Sequence, residues 1–181
     1  MVSGRPMICG GESGYRGPIF HSECYHHSIA SNSWTFLSNM TTKRVWSASV
    51  PVKDMLLVIG GSDSKTTEYI SPAGGASRPG PDLPSPRFKH CAVKLATGKV
   101  MVLGGDSNRK SAIIFNPDTE TFDQSLPTLR YGRYSFGCAT VNSLMHQTRE
   151  VVLAVGGYGQ ATTEVLDYSQ PNEAWTESNY A

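Results

Sequence analysis

Apolar and polar positions along this chain fall into short runs at strand length, not at helical spacing. Four runs stand out: "MIC" at Met7, "LLVI" at Leu56, "VMVL" at Val100 and "VVLAV" at Val151. They are rich in Val, Ile and Leu, as a strand buried on both faces would be. Each run ends in a glycine pair: Gly10-Gly11, Gly60-Gly61, Gly104-Gly105 and Gly156-Gly157. The first glycines are 50, 44 and 52 residues apart. Glycine at a strand end frees φ and lets a second backbone approach closely. A loop that cradles one nucleotide has no reason to recur four times. The last copy, "GGYGQATTE", also lacks a third glycine. It runs on as "ATTEVLDYSQP", which offers no helix N-terminus to a phosphate.

Other features keep step with the glycines. After each pair comes a β-rich segment, "SECYHHS", "TTEYISP", "AIIFNPDT" or "TEVLDYS", with Tyr25, Ile70, Phe115 and Leu166 aligned at one position. Ile70-Ser71-Pro72 and Phe115-Asn116-Pro117 have turn composition. An aromatic follows at Trp34, Phe122 and Trp175, with Arg78 standing in its place in the second copy. An arginine then precedes the next strand: Arg44, Arg87 and Arg133. The strand after it is built from small residues, as in Ser47-Ala48-Ser49, Cys91-Ala92 and Gly137-Cys138-Ala139. "LATGKVMVL" reads as a hairpin with Thr97-Gly98 in its turn.

This four-part unit resembles the kelch repeat over about residues 6 to 178. The resemblance implies an all-β fold, a kelch-type β-propeller present as an incomplete arc of about three and a half four-stranded blades. Within a blade, strand A follows the arginine, B carries Gly-Gly, C the Tyr position and D the Trp position. The blades cover about 6–37, lacking strand A, then 44–83, 87–129 and 133–178 of a single domain, 1–181. The expectation is therefore a piece of a larger propeller, poorly soluble alone and prone to self-association through open blade edges. The outer-strand aromatics are expected to pack on the next blade.

Antiparallel strands alternate direction, so the B–C loops and D–A connections emerge on one face. Carried over from peptide-binding kelch proteins, the candidate partner-binding residues there are Glu12, Ser13, Ser62, Asp63, Asp106, Ser107 and Tyr158 from the B–C loops. From the D–A side come Arg44 with Val45, Arg87 with Phe88, and Arg133 with Tyr134. Asn108, Arg109 and Lys110 add polarity and charge. Arginine there would grip carboxylates, and Tyr134 or Tyr158 would stack on a ligand. The alternative role for Arg44, Arg87 and Arg133 is structural, bonding carbonyls between blades.

Composition narrows the classes. Charged residues are 17% of the chain and the formal net charge is +1, which argues against a nucleic-acid surface. No apolar run approaches the roughly 20 residues of a membrane span, and the start, MVSGRPMICGG, has no apolar signal core. Cys9, Cys24, Cys91 and Cys138 have no metal-type spacing and read as reduced core residues of a cytoplasmic protein. Asn39-Met40-Thr41 is a glycosylation sequon that matters only in a secreted protein.

"HSECYHH" places Cys24 and His26 on one strand face, with His21 and His27 near, but without a second ligand pair no metal is assigned. No cofactor is expected. Copper radical oxidases use kelch-type propellers, but their His and Tyr ligands have no counterpart in the isolated His90 and His146. The function expected is a protein-binding scaffold that recognises a protein or peptide without chemistry. The kelch roles nearest to it are the substrate-recognition part of a ubiquitin ligase and an actin-linked scaffold. The alternatives are a propeller-type oxidase or sugar-active enzyme, and a non-functional fragment.

Overall fold

The computed structural model describes residues 2, 4–124, 126–142, 150–168 and 174–178. Every regular element among them is a β-strand, and no helix there is long and apolar enough to cross a membrane. The chain divides into two compact units, Met1–Phe88 and Lys89–Ala181.

The first unit opens with β1 (Met7–Cys9), a short hairpin of β2 (Glu12–Ser13) and β3 (Ile19–Phe20), then β4 (Glu23–Ser28) and β5 (Ser33–Asn39). β1, β4 and β5 form a three-stranded antiparallel sheet. A second sheet is the meander β6 (Ala48–Val52), β7 (Met55–Ile59), β8 (Thr67–Ile70) and β9 (Arg78–Pro79). The second unit holds two more four-stranded meanders. One is β10 (Cys91–Lys94), β11 (Val100–Leu103), β12 (Ala112–Asn116) and β13 (Thr121–Asp123). The other is β14 (Gly137–Asn142), β15 (Glu150–Val155), β16 (Thr163–Asp167) and β17 (Thr176–Ser178). Among the described residues the first sheet has three strands against four in each of the others.

The apolar runs become the second strand of each meander, and β7 and β11 are buried almost throughout. Each unit has its own core. Val2, Cys24, Met40, Leu56, Val58 and Ile70 meet in the first. Met101, Leu103, Ile114, Leu129, Val152, Leu166 and Trp175 meet in the second. The Thr97-Gly98 turn forms as expected: Gly98 has φ +83° and its N–H bonds Leu95 O at 2.9 Å.

Three expectations change. In register, Ile70, Phe115 and Leu166 face Leu56, Val100 and Val152, each four residues before the first glycine of its pair. In the first sheet that place belongs to Pro6, whose carbonyl accepts the His27 N–H. The counterpart of Ile70 is thus His27, not Tyr25. The β2–β3 hairpin lengthens the first loop and displaces the alignment. Second, Trp34 is 48% exposed and makes edge-on ring contact with His27, while only Trp175 buries its ring. Third, the cysteines are not reduced: Cys9 bonds Cys24, Cys91 bonds Cys138, and no cysteine is free. Cys9 and Cys24 are direct Cα partners on β1 and β4. The flanking pairs exchange the ladder bonds, so theirs is the non-hydrogen-bonded kind, in which side chains sit closest. Cys91 and Cys138 lie on the opening strands of two sheets, with Cα atoms 6.0 Å apart. That bonding also removes Cys24 as a metal ligand. Among the described residues no group of three His, Cys, Asp or Glu is placed to hold an ion. His146 lies outside them.

Candidate functional site

Two of the three repeat arginines, Arg44 and Arg133, organise loops from inside. Arg44, Arg87 and Arg133 are 0%, 1% and 0% exposed. Arg44 Nη1 donates to Gly60 O at 2.7 Å and Thr66 O at 3.0 Å, and its Nη2 to Thr66 Oγ1 at 2.8 Å. Nε and Nη2 both reach Glu68 Oε1, at 3.1 and 2.7 Å. Arg133 repeats the construction on Gly156 O, Thr162 O, Thr162 Oγ1 and Glu164 Oε1, at 2.6 to 2.9 Å. Arg44 and Arg133 thus each pin both ends of the loop between the second and third strands of one sheet. All three arginine side chains are buried, not set on an open surface. Arg44 and Arg133 also bond carbonyls of the sheet they introduce, not those of a neighbouring one.

Burial alone would raise the Glu68 carboxyl. Hydrogen bonds from Arg44, the Thr41 amide and hydroxyl, and Ser77 outweigh it and hold the group at about 2. Glu164 sits equally buried under Arg133, with the Arg130 and Tyr131 amides on its oxygens. In register, Glu68 pairs with Val58 and Glu164 with Ala154, each two residues before a glycine pair, and in β12 the matching residue is Ile113, opposite Val102. Burial lowers the Arg87 guanidinium to about 10.

The arginine backbone ties neighbouring segments together. Gly11 N–H bonds Arg44 O at 2.7 Å, Gly61 N–H bonds Arg87 O at 2.8 Å and Gly105 N–H bonds Arg133 O at 3.0 Å. Here the glycine pairs are required. Gly104 has φ +58°, and a Cβ on it would stand 2.5 Å from Arg133 O. Within each unit these bonds bring a loop that follows a second strand onto the connection that carries an arginine.

In the second unit that edge carries an ordered stack. The Tyr134 and Tyr158 rings lie 5.2 Å apart, tilted by 28°. Arg109 stands over Tyr134 at 4.5 Å, with Lys89 Nζ at 5.7 Å. Asp106 Oδ1 takes Arg109 Nη2 at 2.6 Å and fixes the guanidinium. Backbone bonds Tyr158 N–H to Tyr134 O and Arg133 N–H to Arg109 O hold the three loops together. Tyr158 ends the stack 74% exposed. Ser107 and Lys110 are exposed beside it, and the Asn108 N–H is turned inward onto Gly105 O.

In the first unit Phe88 meets Trp46 at 5.9 Å. Ser62 Oγ accepts the Val45 N–H, Val45 itself is buried, and Asp63 is exposed. Glu12 and Ser13 lie in the β2–β3 hairpin, both exposed. Trp46 and Lys89 are the residues sequence reasoning misses. Both stand two positions after an arginine, as Ser135 does, and all three have left-handed backbones, with φ +56°, +55° and +50°. The constant offset from Arg44, Arg87 and Arg133 is the signal available.

No family model matches the chain. It is 34% identical over 94 residues to the F-box protein AFR of Arabidopsis thaliana. The match covers 52% of this chain and 24% of that protein, so the chain spans about a quarter of that relative's length.

Proposed function

We propose that the chain is part of a kelch-type propeller that binds a protein or peptide through the loop edge bearing Tyr134, Tyr158 and Arg109. The observation that carries this reading is the Arg109–Tyr134–Tyr158 stack: three loops held by backbone bonds present the exposed Tyr158 ring on Tyr134, over which Arg109 and Lys89 stand. Preordered aromatic and arginine side chains are what concentrate binding energy in protein interfaces. The partner segment offers carboxylates to Arg109 and Lys89 and a flat or apolar group to Tyr158.

The likeness to an F-box protein supports a role as the substrate-recognition part of a ubiquitin ligase. The same reading places the chain in the cytoplasm, where exchange with the thiol pool would set the state of Cys91–Cys138. The test is binding of the chain to an array of acidic peptides, read by fluorescence anisotropy. Selected peptides should lose at least about tenfold in affinity on Tyr158→Ala or Arg109→Ala, the effect of deleting one good interface anchor. Binding indifferent to both substitutions would overturn the proposal.

A further inference from the structure

The hairpin β2–β3 assembles a trio of side chains that spacing alone does not announce. Ser13 Oγ lies 2.6 Å from His21 Nε2, and His21 Nδ1 lies 3.4 Å from Glu23 Oε2. A hydroxyl faces one ring nitrogen and a carboxylate faces the other. This is the order of nucleophile, base and orienting acid in acyl-transfer sites. The local fold explains the meeting. Pairing of Ser13 with Ile19 folds the chain back, and His21 then sits between β3 and β4. Its backbone is clamped on both sides, His21 N–H on Gly11 O and Arg44 N–H on His21 O, each at 3.0 Å. Amide N–H groups of Glu23 and Ser22, together with His21, keep the Glu23 carboxyl below its ordinary value despite some desolvation.

The trio is open to solvent and to a substrate, with the His21 and Glu23 side chains 34% and 41% exposed. A cavity of about 600 Å³ adjoins Ser13, lined by Glu12, Gly14, Gly17 and Pro18. A second, of about 590 Å³, shares Gly14, Gly17 and Pro18 and adds Tyr15, Arg16 and Ile19. The turn that bounds both is closed so tightly that a Cβ on Gly14 would strike Gly17 O. Bare glycine backbone thus stands beside the hydroxyl, with an apolar wall of Pro18 and Ile19 beyond it.

We propose that Ser13, His21 and Glu23 form a hydrolytic triad acting on carboxylic esters with a short apolar acyl group, an activity beyond the recognition role. Ser13 Oγ attacks the ester carbonyl carbon while His21 Nε2 takes the hydroxyl proton. Collapse of the tetrahedral species breaks the bond to the alcohol oxygen, which leaves with that proton. Water, deprotonated by Nε2, then attacks the acyl-serine. The acid departs, and the proton returns to Ser13. One ester and one water give one acid and one alcohol, with no oxidant or further reactant. Glu23 acts as a positioning residue that holds the imidazole tautomer with its free nitrogen toward Ser13.

The test treats the full chain with a fluorophosphonate probe and with 4-nitrophenyl butyrate. The expected label sits on Ser13 in the peptide map, and Ser13→Ala abolishes both labelling and hydrolysis. His21→Ala lowers the rate by about 100-fold or more, the usual range for a general base. Glu23→Gln lowers the labelling rate at least about tenfold while Glu23→Asp restores most of it, with the melting temperature unchanged in both. Label on another serine, hydrolysis that survives Ser13→Ala, or equal labelling of Glu23→Gln and the native chain would overturn the proposal.

Discussion

Replacing Glu68 by Ile would strand the buried Arg44 guanidinium without its carboxylate. The Glu68 oxygens accept six hydrogen bonds: from Arg44 Nε and Nη2, the Thr41 and Thr42 amides, and the Thr41 and Ser77 hydroxyls. Glu68→Ile removes them all and leaves Arg44 sealed against the Gly60 and Thr66 oxygens alone. Breaking one side of a buried ion pair costs about 3–5 kcal/mol. The same bonds account for the fall of the Glu68 carboxyl from 4.5 to about 2. At about 1.4 kcal/mol per tenfold change it corresponds to roughly 3 kcal/mol. Because the folded value is lowered, this stability is fully present above pH 4.5 and is lost as pH falls toward 2.

The assay is urea unfolding followed by tryptophan fluorescence, with Trp34 and Trp46 both in the first unit. At pH 7, Glu68→Ile should lose about 3–5 kcal/mol. The gap to the native chain should shrink steadily below pH 4.5 as native Glu68 takes up its proton. Adding Arg44→Met to Glu68→Ile should recover much of the loss, since the stranded cation is then gone. A loss below about 1 kcal/mol at pH 7, the value of an exposed pair, or a gap that does not change with pH, would refute the reasoning.

Opening Cys91–Cys138, which closes a span of 47 residues, should cost about 4 kcal/mol on loop entropy; calorimetry of Cys91→Ser checks it, and a native-like melting temperature would show the bond is not closed in solution. Gly104→Ala forces a Cβ to 2.5 Å from Arg133 O and should cost clearly more than the about 1–2 kcal/mol of left-handed strain alone. Gly98→Ala, with φ +83° and nothing within 4 Å, should cost only that strain. Equal losses in the two would deny the close approach.

The meanders were legible because each is local: consecutive strands pair, and the glycine pairs mark the same turn each time. The role of Arg44 and Arg133 was half legible. Carbonyl bonding follows from buried arginine chemistry, but the carboxylate partner needed the strand register. A signal for it does exist in the shared triplets Thr66-Thr67-Glu68 and Thr162-Thr163-Glu164, which supply both the hydroxyl and the acid; the third copy reads Ser111-Ala112-Ile113. The disulfides were not legible. Cys9 meets Cys24 only through the inserted hairpin's displacement of register, and Cys91 meets Cys138 across two sheets. The same hairpin misaligned Tyr25 and hid Ser13 beside His21. One insertion thus accounts for most of what the periodic pattern could not reveal.

The arginine clasp touches the loop between the second and third strands only at its two ends. In the second sheet these are Gly60 O and Thr66, and in the fourth Gly156 O and Thr162, spans of equal length. Between the posts of the second sheet, Ser62 Oγ accepts the Val45 N–H and Ser64 Oγ bonds Thr66 Oγ1. In the fourth, the exposed Tyr158 ring stacks on Tyr134 and not on the clasp. Natural drift can therefore rewrite the side chain at Tyr158 without loosening the Arg133 clasp beneath it. The clasp makes this edge a chassis for an exchangeable side chain, so specificity is free to evolve faster than architecture.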